Sequence, residues 1–143
     1  MKKIIIILSV FCFIVVAGMK PAHCNDSTGI HFFEGSWADA VKKAKKEKKA
    51  LFLDISASWC GPCKMLKRYS FPNGEVGEFF NQYYVSMEVD GEVGEGIVLA
   101  TKFMIDGYPS LFFMDANEKI LMTAVGYHPA NKLLELAKKA IGK

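Results

Sequence analysis

The sequence predicts an α/β domain built as a three-layer α/β/α sandwich with a central mixed sheet. Apolar runs typical of strands alternate along the chain with segments whose apolar residues recur at helical spacing. The connection between the strand-like runs 50–55 and 84–89 is long enough for a parallel crossover. The last two runs, 110–114 and 120–125, are separated by a polar turn, which indicates a hairpin. A single domain is expected for 143 residues.

The chain begins with a stretch that resembles an export leader. Lys2 and Lys3 precede the apolar run 4–17, which is shorter than the roughly 20 residues of a membrane span. We therefore expect residues 1–24 to be a signal peptide and the protein to be exported, to the periplasm. Small residues allow cleavage near Gly18 or near Cys24. Membrane anchoring through an uncleaved leader and lipidation of Cys24 are the less favoured alternatives. His23 before Cys24 is not the small residue that lipidation sites use.

Charge gives no sign of a nucleic-acid partner. The formal net charge is +3, but three of the 18 basic residues lie in the leader, so the remaining 15 balance the 15 acidic residues. A chain without net charge lacks the positive electrostatic field that attracts nucleic acids.

After the polar segment 25–29, interpreted as a linker, the domain is expected to cover residues 30–143. A first strand is predicted over 30–33. Ser36, with Asp39 three residues later, predicts a helix start. The helix that follows carries its apolar residues at helical spacing, at Trp37, Ala40, Val41 and Ala44.

The remaining predicted elements follow from the same patterns. Strands are predicted over 50–55, 84–89, 110–114 and 120–125. Helices are predicted over 60–70, stopping before Pro72, over 76–81, over 97–103 with Ile97, Ala100, Thr101 and Met104 on one side, and from Pro129 to 141.

A reactive site is indicated by two cysteines in the segment Ser58-Trp59-Cys60-Gly61-Pro62-Cys63-Lys64. A cysteine reacts as its thiolate, and a helix N-terminus lowers the thiol pKa. Pro62 suits a first helical turn, and Gly61 allows a sharp turn that leaves Cys60 uncrowded. Cys63 lies one turn further on, where it can close a ring with Cys60. We predict that Cys60 attacks a disulfide and that Cys63 resolves the mixed disulfide.

Three other interpretations of the cysteine pair are weaker. A zinc site needs four ligands, but Cys12 and Cys24 lie in or beside the leader, and His31 and His128 are far apart in the sequence. A c-type haem site needs a histidine where Lys64 stands. A structural disulfide across two residues constrains the unfolded chain little. We therefore expect a redox-active disulfide and neither a metal nor a further cofactor.

Asp54 stands in an otherwise apolar strand. A carboxylate in such a place is costly unless it is functional or paired, and burial should raise its pKa. The alternative is a structural acid that accepts backbone hydrogen bonds at the strand end.

The residues 54–64 resemble the active-site strand and loop of the thioredoxin superfamily. The match includes an acid six positions before the first cysteine, a preceding tryptophan and the Gly-Pro dipeptide. Tyr108-Pro109-Ser110 is similar to the cis-proline segment of that family, and Gly126 to a glycine before its last helix. The resemblance extends over 30–141 and implies a thioredoxin fold.

The resemblance also implies roles. Asp54 would assist proton transfer to and from Cys63, although the family commonly has a nearby lysine where an alignment places Ser86 here. The residues expected to form the substrate groove around Cys60 are Trp59, Gly61, Pro62, Tyr108 and Pro109.

The expected function is that of an exported thiol:disulfide oxidoreductase that reduces protein disulfides. The Gly61-Pro62 pair resembles the reducing members of the family more than the oxidising ones. Two alternatives stay open: an oxidase or isomerase on the same fold, and a binding module that uses the groove without turnover. Disulfide-containing proteins are the expected substrates, and a membrane-embedded thiol donor is inferred from the location.

Overall fold

The structure, a computed structural model, describes residues 28–143. The predicted leader lies outside these residues. In chain order the elements are α1 (Trp37–Glu47), β1 (Ala50–Ser56), α2 (Gly61–Met65) continuing as a π-helical turn (Leu66–Ser70), α3 (Gly74–Tyr83), β2 (Tyr84–Asp90), α4 (Glu95–Lys102), β3 (Ser110–Met114), β4 (Ile120–Val125) and α5 (Ala130–Ala140).

The four strands form one mixed sheet in the order β2-β1-β3-β4. β1 pairs parallel with β2 and antiparallel with β3, and β3 and β4 form the predicted antiparallel hairpin. The predicted fold class is confirmed, with helices on both faces of a central mixed sheet.

The predicted first strand over 30–33 is wrong. This segment makes a single parallel bridge, between Phe32 and Ser86. Its other backbone donors are used elsewhere, because the His31 N–H donates to the Asn81 side chain and the Ile30 N–H to the Phe71 carbonyl. The packed structure already begins at Gly29, inside the predicted linker, because Gly29 is buried and a Cβ on Gly77 would lie 2.3 Å from its carbonyl oxygen.

Alternating side chains of β1 supply both apolar cores. Leu51, Leu53 and Ile55 face α1 and α4 in one core. Phe52 faces the opposite side, in the core covered by the π-helical turn, α3 and α5. All four side chains are fully buried. The central strand therefore holds the two helical layers to the same sheet.

The predicted apolar face of α1 is confirmed, but α3 and α4 each begin two residues before their predicted starts, at Gly74 and Glu95, and α4 packs through a different face. Ser36 caps α1, and its Oγ accepts from the Asp39 N–H at 3.2 Å. Ile97 in α4 and Met104 just after its end are exposed, whereas Leu99 is buried. The reason is Gly96, where a Cβ would lie 1.8 Å from the Asp90 carbonyl oxygen, so the helix packs through its Gly96 and Leu99 side.

Within residues 28–143, every helix is too short or too polar to cross a membrane.

We predict that Phe80→Ala lowers the free energy of unfolding by about 3–5 kcal/mol. Phe80 is fully buried, and its ring centroid lies 4.9 Å from that of Phe52 and 5.2 Å from that of Tyr84. Urea unfolding with the disulfide intact measures the loss. Val98→Ala, at an exposed position of α4, is the control and should change stability by about 0.5 kcal/mol or less. Equal losses in both variants would contradict this assignment of the core.

Candidate active site

Cys60 and Cys63 are joined by a disulfide at the start of α2, with their Cα atoms 5.4 Å apart. Cys60 is the N-cap residue, and its Sγ accepts from the Cys63 N–H at 3.1 Å. The Cys60 N–H in turn donates to the Ala57 carbonyl at 3.1 Å, which closes the turn that leaves β1. This turn places the sulfur pair at the carboxyl end of the central strand, where open α/β sheets usually hold their sites.

The disulfide is more enclosed than the sequence suggests. Cys60 and Cys63 are each 2 % exposed, and Ala57 and Tyr108 pack against them. The space beside Gly61 is open, because a Cβ built there would meet no atom within 4 Å. Pro62 is exposed as well. The exposed side of the turn is therefore that of Gly61 and Pro62, next to the buried sulfur pair.

Trp59 and Tyr108 form one apolar wall beside the disulfide. The Trp59 side chain is 65 % exposed, and its ring meets that of Tyr108 edge to face with centroids 5.8 Å apart. The indole N–H donates to Glu92 Oε2 at 3.0 Å, which fixes the direction of the exposed ring. Burial raises the pKa of Tyr108, and the nearby carboxylates of Glu92 and Asp90 add to this effect.

Pro109 follows Tyr108 in the chain. The Tyr108–Pro109 peptide bond is cis, and Pro109 is buried. The Pro109 carbonyl accepts from the Gly126 N–H at 2.9 Å, and Ser110 Oγ donates to the Gly107 carbonyl at 2.7 Å. These bonds anchor the Tyr108 turn to β3 and β4.

Asp54 lies on β1 in the same sheet face as Phe52, since it follows Phe52 by two residues. It is fully buried, and neither of its carboxylate oxygens has a hydrogen-bond partner among the described residues. The alternative is a structural acid that accepts backbone hydrogen bonds, and the described residues provide no such bond to Asp54. Burial raises the pKa of Asp54 to about 8; the Glu88 carboxylate adds to the rise and the Lys67 ammonium opposes it.

The charged neighbours of Asp54 differ from those expected from the sequence. Ser86 pairs in register with Phe52, whereas Glu88 is the β2 residue in register with Asp54. Lys67, from the π-helical turn, forms an ion pair with Glu88. Nothing in the local sequence pattern singles out Glu88, Lys67 or Glu92. Their proximity to the site depends on strand register and on how α2 and the loop after β2 pack.

Among residues 28–143, no three His, Cys, Asp or Glu side chains come close enough together to hold a metal ion.

Known proteins are similar to this chain in sequence and fold. The model of a family described as a thioredoxin-like domain matches residues 37–141. The solution structure of a proposed disulphide-isomerase from Bacteroides thetaiotaomicron superimposes with a TM-score of 0.71 at 36% identity, over 80% of this chain and 95% of that one.

Curated relatives match over shorter parts of their length. Spermatogenesis-associated protein 20 of Rattus norvegicus is 44% identical over 54 residues, which are 38% of this chain and 7% of that protein. The thiol:disulfide interchange protein DsbD of Tatumella citrea is 28% identical over 109 residues, which are 73% of this chain and 19% of that protein. The chain thus spans less than a fifth of either relative.

The family match covers most of the described residues, and it includes both cysteines, the buried Asp54 and the Tyr108–Pro109 turn. This chain belongs to the thioredoxin-like domain family.

Proposed function

We propose that this protein is a thiol:disulfide oxidoreductase that reduces disulfides of other proteins through the Cys60/Cys63 pair. The observation that carries the proposal is the disulfide at the start of α2, with open space at Gly61 and an exposed Trp59 beside it. A disulfide of purely structural use would not need an open approach and an exposed aromatic wall.

The reaction starts from the reduced pair. The Cys60 thiolate attacks one sulfur of the substrate disulfide, a mixed disulfide forms, and the other substrate sulfur leaves as a thiolate that takes up a proton. The Cys63 thiolate then attacks Cys60 Sγ, which releases the second substrate thiol and closes the Cys60–Cys63 disulfide. The Cys63 N–H that points at Cys60 Sγ at 3.1 Å stabilises negative charge on that sulfur.

Asp54 is proposed to take the proton of Cys63 before the resolving attack. The carboxyl lies on the strand that leads into the active-site turn, on the sheet face covered by the π-helical turn that continues the helix of Cys63. With a pKa of about 8, it can exchange a proton with a thiol near neutral pH. An ordinary exposed aspartate, with a pKa near 3.9, would be a much weaker base.

The reducing direction and the location are supported by the sequence. The Gly61-Pro62 dipeptide resembles the reducing thioredoxins, and the predicted leader 1–24 favours export, to the periplasm. A reductase outside the cytoplasm needs electrons from across the membrane, so a membrane-embedded thiol donor is proposed as the partner that reduces the pair again. Disulfide-containing proteins are the proposed substrates, bound against Trp59 and Tyr108.

An isomerase is the second candidate. It is favoured by the Bacteroides thetaiotaomicron relative, which is described as a proposed disulphide-isomerase and is 36% identical to this chain.

The roles of the two cysteines predict different outcomes for two serine substitutions. Cys60→Ser should abolish insulin reduction, because the attacking sulfur is lost. Cys63→Ser should accumulate mixed disulfides at Cys60, because resolution is blocked. Mass spectrometry of the trapped adducts identifies substrates and donor together. Insulin reduction that survives Cys60→Ser would refute catalysis by this pair and favour a binding module.

The direction of the reaction predicts a reducing equilibrium. Titration of the Cys60/Cys63 pair against glutathione buffers should give a reduction potential of about −270 mV, as for thioredoxin. A strong oxidant would give about −120 mV. A value close to that of a protein disulfide isomerase, about −180 mV, would favour the second candidate.

Asp54→Asn should change both the pH profile and the stability. In the unsubstituted protein, resolution of the mixed disulfide should accelerate as the pH rises to about 8, and the asparagine variant should lose this rise. Stopped-flow decay of a Cys60 adduct measures the step.

The folded-state pKa of Asp54, about 8, lies above the unfolded value of about 3.9. Between these two pH values the folded protein keeps the Asp54 proton, whereas the unfolded chain has lost it. The contribution of Asp54 to stability is therefore lost as the pH rises through the folded pKa. Asp54→Asn should raise the free energy of unfolding at pH 8 by roughly a few kcal/mol, and by little at pH 4. A gain independent of pH would show that the carboxyl does not titrate as proposed.

A further inference from the structure

Asp54 and Glu88 face each other across two neighbouring strands. They are register partners in the parallel pairing of β1 and β2, and both carry a carboxyl group. Their surroundings differ, because Asp54 is fully buried and the Glu88 side chain is 26% exposed. The register partner of Asp54 on its other side, in β3, is the apolar Leu111. A like charge therefore reaches Asp54 from one strand only.

The opposite charge comes from the helix. Lys67 of the π-helical turn forms an ion pair with Glu88 Oε1, and the Lys67 side chain is 48% exposed. This turn contains the hydrogen bond from the Phe71 N–H to the Leu66 carbonyl, 2.9 Å long, which spans five residues instead of four. Leu66, one residue before Lys67, packs beside Phe52 in the same core. The turn therefore places a cation above the sheet face that contains Asp54.

Solvent reaches the ion pair but not Asp54. A surface cavity of about 320 Å³ is lined by Lys67, Glu88, Phe32 and Phe71 among others, and Asp54 is not part of its lining. In the described chain, Glu88 from β2 and Lys67 from the helix are the charged groups that act on Asp54, and Cys63 on the same helix is the further titratable group once the disulfide is reduced.

We infer that Lys67 and Glu88 are positioning residues that set, with opposite sign, the proton equilibrium of Asp54. Glu88 opposes a second negative charge beside it, whereas Lys67 favours that charge and also neutralises Glu88. The consequence for catalysis rests on the proposed function, since it requires that Asp54 accept the proton of Cys63. The electrostatic coupling itself requires only the folded, oxidised protein.

The sign of the effect is fixed by the charge that is removed. Glu88→Gln removes a like charge and leaves Lys67 without its counter-ion, so Asp54 should ionise at lower pH. Lys67→Met removes the cation and leaves Glu88 unneutralised, so Asp54 should ionise at higher pH. Each midpoint should move by about one pH unit, at the low end of the shifts that charges within a few ångströms produce. The double variant should lie between the single variants.

The experiment is an NMR titration of the Asp54 carboxyl carbon in the oxidised full chain. Lys67→Arg keeps the charge and should restore the midpoint of the unsubstituted protein. Lys132→Met is the matched control, because Lys132 has the same 48% exposure and pairs with Glu135 at 2.7 Å on α5. It should leave the midpoint unchanged. Urea unfolding of each variant shows that the comparison is made between folded proteins.

The outcomes separate this inference from the proposed function. Midpoints that move in opposite directions for Glu88→Gln and Lys67→Met support the inference, even if the protein fails to reduce insulin. Midpoints that stay fixed, or move in the same direction in both variants, overturn it, even if insulin reduction is intact. If the inference and the proposed function are both correct, the pH profile of mixed-disulfide resolution should shift in each variant in the same direction as the Asp54 midpoint.

Discussion

The structure depends on the burial of both faces of β1. Leu51, Leu53 and Ile55 on one face and Phe52 on the other are fully buried, and each contributes about 1.5–3 kcal/mol through the apolar surface that it removes from water. Because these side chains alternate, one strand serves two cores and fixes the positions of both helical layers. The active-site turn follows this strand directly, so the rigid centre of the sheet sets the position of Cys60.

The same strand also carries a residue whose burial destabilises the fold. Asp54 occupies a position where an apolar side chain would pack, and its oxygens have no hydrogen-bond partner among the described residues. An unsatisfied buried polar group costs about 1–3 kcal/mol, which is less than the gain from the four apolar side chains of β1 taken together. The fold can therefore hold a carboxyl in dry surroundings, and those surroundings raise its pKa to about 8.

Around the disulfide, enclosure and access come from different elements. Tyr108, held through the Pro109 and Ser110 anchors, packs against the cysteines, whereas the space beside Gly61 is open. Trp59 remains largely exposed but is tied to Glu92 of the loop after β2. An exposed aromatic ring held in a fixed direction offers a contact surface at a low cost in side-chain entropy. This combination is the structural basis of the proposal that other proteins bind here.

The sequence by itself determined the elements, the alternation of β1 and the position of the cysteine pair, because these follow from local periodicity, from the Ser36 cap and from the Gly61-Pro62 turn. It also indicated that Asp54 would be buried, since an acid within an apolar run of a central strand faces a core. Local patterns could not reveal that 30–33 makes a single bridge, because the backbone donors at 30 and 31 go to α3 and to the turn before it. Nor could they show which face of α4 packs, which Gly96 decides through its close approach to Asp90. Only the tertiary structure placed Glu88, Lys67 and Glu92 at the site, because strand register and helix packing join residues that are distant in sequence.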